Sequence, residues 1–137
     1  MDHYCIEKIK KYIEMHFSEE ISLDHLAKKF GYSKYHLSRM FAETTGMTIH
    51  TYIVERRLQE AQQLLMQTKT PIVDIAQLVG YTSQQSFTKA FRNRFLYTPA
   101  YVRSNCYVRA NKERTRMRSI HVQRPNTLQM RLERIAA

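Results

Sequence analysis

Ala27-Lys28-Lys29-Phe30-Gly31-Tyr32-Ser33 recurs as Ala76-Gln77-Leu78-Val79-Gly80-Tyr81-Thr82, 49 positions further along the chain. One extra residue then enters and the offset becomes 50. Leu37, Arg39, Met40, Phe41 and Thr48 thus fall opposite Phe87, Lys89, Ala90, Phe91 and Thr98. Each copy reads as a short helix, a turn carrying Gly-Tyr-Ser/Thr, and a second helix with matching inward positions. That is the form of a helix-turn-helix. A single unit of this kind arises readily by chance, whereas two in register do not.

The flanking sequence fills in the remaining helices. Ile6, Ile9, Ile13 and Phe17 follow at steps of three and four, one face of a helix from about Cys5 to His16. Ser22 is placed to cap the next helix, with Leu23, Leu26, Ala27 and Phe30 inward and Gly31 at its end. A third helix starts near Ser33, turns Leu37, Met40 and Phe41 inward, and stops at Gly46. Thr48 caps a longer helix, Ile49 to about Met66. Thr70-Pro71 reads as an N-cap followed by proline at the first helical position, before Ile72, Ile75, Ala76 and Val79, with Gly80 as terminator. Ser83 to Phe95 makes a sixth helix, and Thr98-Pro99 opens a short seventh.

With only three Gly and three Pro, the chain lacks the tight turns that a sheet-rich fold needs. The expected fold is all-α: two helix-turn-helix subdomains joined by a linker helix, about seven helices in all. Residues 1–106 hold the tandem unit, divided into a first unit at about 5–48, a linker at about 49–66 and a second unit at about 70–106. Residues 107–137 form a basic tail. They carry eight Lys or Arg and two acids, and so supply +6 of the +10 formal charge. Such a tail can strengthen binding to phosphates without adding selectivity. Its apolar residues from Ile120 to Ile135 leave a hairpin, the remnant of an effector domain and a loosely ordered segment all open.

Charge points to the partner. Lys and Arg number 22 against 12 Asp and Glu in 137 residues, a balance that favours polyanions, nucleic acid before membrane surface. No apolar run is long enough to span a bilayer and the first residues lack the form of a secretory signal, so a soluble, cytoplasmic, nucleoid-associated protein is expected. An enzyme is not expected: the six His are scattered, and neither a glycine-rich phosphate loop nor a nucleophile-base pair is present. Cys5 and Cys106 match no metal spacing. Catalytic, cofactor and metal residues are therefore all expected to be none.

Residues 5–106 resemble the DNA-binding region of the AraC/XylS family of bacterial transcription regulators, most of all its small stand-alone MarA/SoxS/Rob-like type. The resemblance rests on Ile21-Ser22-Leu23-Asp24-His25-Leu26-Ala27, on Gly31-Tyr32-Ser33-Lys34-Tyr35-His36-Leu37-Ser38-Arg39-Met40-Phe41, and on Tyr52-Ile53-Val54-Glu55-Arg56-Arg57-Leu58. The second half adds Ile72-Val73-Asp74-Ile75-Ala76 and Gly80-Tyr81-Thr82-Ser83-Gln84-Gln85-Ser86-Phe87-Thr88-Lys89-Ala90-Phe91. It implies an activator that binds double-stranded DNA as a monomer and recruits RNA polymerase. Family members often carry Trp and Gln where this chain has Tyr35 and Ser38, Arg at Lys89, and Gly at Leu96.

In a helix-turn-helix the second helix enters the major groove and its early outward residues meet base edges. In the third helix these are Lys34, Tyr35, Ser38 and Arg39, with Ala42 beside them. Arg39 offers the two-donor fork that matches guanine O6 and N7, and Tyr35 a flat face for a thymine methyl or a sugar. The plainer alternative has Tyr35 covering the core and Arg39 paired with Glu43 one turn away. In the sixth helix the outward set is Gln84, Gln85, Thr88, Lys89 and Arg92. Glutamine matches adenine N6 and N7, lysine brings a less selective point charge, and Arg92 suits phosphate. Because the two sets differ, the target is expected to be asymmetric, with no dimer needed. Two other functions remain open on sequence: a non-specific nucleic-acid-binding protein, or a protein-interaction module acting on another regulator.

Overall fold

Hydroxyl side chains open five of the helices. The computed structural model describes residues 2–106, in the order α1 (Asp2–His16), α2 (Leu23–Phe30), α3 (Lys34–Thr45), α4 (Ile49–Gln67), α5 (Ile72–Leu78) and α6 (Gln84–Phe95). Residues 99–106 are the described part of a seventh helix, α7. Among the described residues there is no strand. The basic stretch 107–137, and the expectations attached to it, lie outside the described residues. The Oγ of Ser22, Ser33 and Ser83 and the Oγ1 of Thr48 and Thr98 each accept the backbone N–H three residues on, at 3.1 to 3.2 Å. Each such cap is worth about 1 kcal/mol to its helix.

The repeat is visible bond by bond. Tyr32 N–H donates to the Ala27 carbonyl at 2.9 Å, and Tyr81 N–H donates to the Ala76 carbonyl at the same distance. After α3 and α6, Gly46 N–H donates to Ala42 O at 2.9 Å and Leu96 N–H to Arg92 O at 2.8 Å. Both residues sit in the left-handed region, at φ 77° and 68°. A leucine there carries a Cβ against the following carbonyl, which costs about 1–2 kcal/mol. Leu96 gains no packing in return, being 86% exposed. Leu96→Gly will therefore raise stability by about 0.5–1 kcal/mol, readable as a higher urea midpoint with an unchanged slope.

Two cores sit at the two ends of α4. Ile6, Ile9, Ile13, Leu26, Ala27, Leu37, Met40 and Phe41 close over Ile49 and Ile53. Ile75, Ala76, Val79, Phe87, Phe91 and Val102 close over Leu58, Ala61, Leu64 and Leu65. Phe17, the residue after α1, packs against both cores. The linker helix is thus a wall of each unit and belongs to neither alone.

Three sequence expectations need correction. Helix α1 starts at Asp2 rather than Cys5, because the polar turn ahead of Ile6 meets no breaker and continues the helix. Thr70 does not cap α5. Pro71 is itself the N-cap, and its carbonyl accepts the first helical bond from Ile75 N–H at 3.0 Å. The Thr70 carbonyl is used elsewhere, as an acceptor for the Arg103 guanidinium of α7. Finally, α5 ends at Leu78 with Val79 as its C-cap, so Gly80 lies one residue beyond, at φ 102°.

Gly31 and Gly80 both occupy the left-handed region, at φ 76° and 102°, yet their surroundings differ. A Cβ on Gly31 would meet nothing within 4 Å, while one on Gly80 would stand 2.9 Å from the Ser18 carbonyl oxygen. Gly31→Ala should cost about 1 kcal/mol from backbone conformation alone. Gly80→Ala should cost more, since backbone must move as well. Thermal melts of the two variants check the order, and equal shifts would contradict the close contact at Gly80.

Candidate nucleic-acid interface

The inward residues of α3 (Leu37, Met40 and Phe41) and of α6 (Phe87 and Phe91) are buried. That anchoring fixes which side chains each helix turns outward. On α3, Lys34, Tyr35 and Arg39 are exposed and Ser38 is half-buried. Tyr35 is 75% exposed and does not cover the core, against the plainer alternative. The other half of that alternative is present: Arg39 Nε donates to Glu43 Oε1 at 3.0 Å. Hydrogen bonding and charge from Glu43 raise the Arg39 pKa, so the guanidinium stays protonated. Both members remain open to solvent, at 65% and 66% exposure, and Lys34 pairs with Asp24 of α2 at 2.7 Å in a similarly open setting. Open pairs of this kind contribute about 0–1 kcal/mol, so either cation can exchange its carboxylate for a stronger polyanion at little cost.

The α6 face is built differently. Gln84, Gln85, Thr88, Lys89 and Arg92, the five residues singled out from sequence, line one shallow depression together with Asn93 and Thr98. Asn93 follows Lys89 by one helical turn, and that i+4 step was available in the sequence. Among the described residues no carboxylate pairs with Lys89 or Arg92. The two faces thus differ in side-chain chemistry and in how their cations are held: α3 offers a tethered fork beside an aromatic ring, α6 amides with untethered cations.

Residues 26–105 match the family described as a helix-turn-helix domain. Over 92 residues the chain is 47% identical to the right origin-binding protein of Escherichia coli K12, a match that takes in 67% of this chain and 32% of that protein. It is 43% identical over 95 residues to the regulatory protein SoxS of Salmonella typhimurium LT2, covering 69% of this chain and 89% of SoxS. A solved AraC-type regulator from Chromobacterium violaceum superposes with a TM-score of 0.70 at 32% identity, over 76% of this chain and 93% of that one. The chain belongs to the AraC-type helix-turn-helix family. It spans about a third of the length of the right origin-binding protein, but most of SoxS. These relatives are named as an origin-binding protein, a regulatory protein and a transcriptional regulator with an AraC-type DNA-binding domain, and not as enzymes, in agreement with the expectation from sequence. Among the described residues no helix is long and apolar enough to cross a membrane, and no His, Cys, Asp and Glu grouping could hold a metal.

Proposed function

We propose that this AraC-type chain is a sequence-specific transcription regulator that binds an asymmetric duplex site as a monomer, with α3 in one major groove and α6 in the next. The observation that carries this reading is the pair of unlike outward faces on two helix-turn-helix units of one chain. Lys34, Tyr35, Ser38 and Arg39 read one half-site; Gln84, Gln85, Thr88, Lys89 and Arg92 contact the other. The 19 residues of α4 give a helix about 28 Å long, near the roughly 34 Å between successive major grooves on one duplex face. A modest bend of the DNA closes the difference. Activation through RNA polymerase, which the resemblance to the family implies, and residence on the nucleoid belong to the same proposal.

Hydroxyl-radical footprinting on a duplex selected by the protein tests the geometry. Two unlike protected tracts about one helical turn apart, with one chain bound per duplex, are expected. A single tract, or even protection along the fragment, would favour the non-specific reading. Transcription in vitro from a template carrying that site should rise when the protein is added to purified polymerase; a fall would make it a repressor at that site.

A further inference from the structure

Three consecutive residues in the middle of α4 leave the helix in different directions and tie different elements to it. The Glu55 carboxylate accepts two hydrogen bonds from the Arg94 guanidinium of α6, at 2.6 and 2.7 Å. Arg56 pairs with Glu14 of α1 at 3.1 Å. Arg57 does more. Its Nε donates to the Phe17 carbonyl at 2.6 Å and its Nη2 to the Glu19 carbonyl at 2.9 Å. The same guanidinium lies 5.7 Å from the centre of the Tyr81 ring.

The loop after α1 belongs to the first unit, and the turn between α5 and α6 belongs to the second. They meet on this one planar cation. Gly80 closes the joint from behind, where a Cβ would stand 3.0 Å from Arg57 Cζ. Burial strips water from Arg57 and lowers its pKa. Two carbonyl oxygens and an aromatic face take the place of the lost water. Lysine could not reproduce this set, having neither the fork nor the flat face.

We propose that Arg57 is a positioning residue that fixes the spacing and phase of the two reading helices, so that the protein accepts only sites whose halves lie one set distance apart. The proposal rests on the two-reader function proposed above. With the joint closed, a half-site displaced along the duplex must be reached by deforming DNA. With it open, the units are coupled through α4 and the Phe17 side chain alone, without a hydrogen-bonded joint, and behave as loosely tethered binders that tolerate several spacings.

Selection from duplexes with about two helical turns of randomised sequence, using the full chain, tests this. The wild type should enrich two unlike blocks at a single spacing. Arg57→Met should enrich the same blocks at several spacings, and Arg57→Lys should fall between. One base pair inserted between the blocks should weaken the wild type by about tenfold or more. The same insertion should weaken Arg57→Met only about twofold. If the wild type enriches no pair of blocks, the two-reader function fails, and the role of Arg57 with it. If the wild type keeps one spacing and Arg57→Met keeps the same one with the same penalty, two readers stand but Arg57 does not space them. Gly80→Ala crowds the joint from the opposite side and should relax spacing too. Loss of cooperative folding in both Arg57→Met and Gly80→Ala would also overturn the proposal, because the contact would then be supporting the cores and not spacing them.

Discussion

Phe87→Ala will lower stability by about 3–5 kcal/mol and remove the second reader before the first. Phe87 is fully buried, with its ring centre 5.6 Å from that of Tyr81 and 5.7 Å from that of Phe91. It lies at the middle of the second core, on the reverse side of the helix that presents Gln84 and Gln85. Helix α5, its neighbour across the turn, is 7 residues long and starts without a side-chain cap, so little else there resists collapse or fraying. A loss of this size is a large share of the roughly 5–15 kcal/mol that a small domain has. Amide exchange should accelerate over 72–106 while 6–53 stays protected, and urea transitions read by different probes should separate. A change below about 1 kcal/mol would mean that the second core is not closed around this ring.

Arg39→Ala and Arg92→Ala should give opposite results on DNA. If Arg39 reaches a guanine edge, its loss costs about 1–3 kcal/mol on the selected site and relaxes preference at one or two base pairs, with little change on random duplex. Its tether to Glu43 does not prevent this, since both partners are open to solvent. Arg92, free of any carboxylate among the described residues, should act on phosphate. Removing it should weaken selected and random duplex alike and lower the log–log salt slope by about one. Titrations at several salt concentrations with both duplexes separate the two cases. Equal loss on both duplexes for Arg39→Ala would make it a phosphate contact and move base reading on α3 to Tyr35 or Ser38.

How much of this was legible in the sequence follows from the range of each interaction. Capping bonds span three residues, so Ser22, Ser33, Thr48 and Ser83 carried their own signal. The inward faces of α3 and α6 are set by steps of three and four, and the outward faces followed once Leu37, Met40, Phe41, Phe87 and Phe91 were assigned. Pro71 was misplaced by one position, because proline suits both the cap and the first helical turn and only the first backbone bond decides between them. Arg57 was missed for a stronger reason. Its acceptors are main-chain carbonyls 40 and 38 residues away, and a carbonyl leaves no mark on the residue type that bears it. The Lys34–Asp24 pair was missed for a related one: it joins two helices across a turn, outside the i+4 rule that exposed Arg39–Glu43.

Competition between a labelled selected duplex and unlabelled random duplex, at physiological salt and with the full chain, bears most directly on sequence-specific reading by a single chain. The two unlike helix faces predict about a thousandfold or greater preference for the selected duplex, with one chain bound per site. A preference near unity, or a complex that forms only with two chains per site, would contradict it.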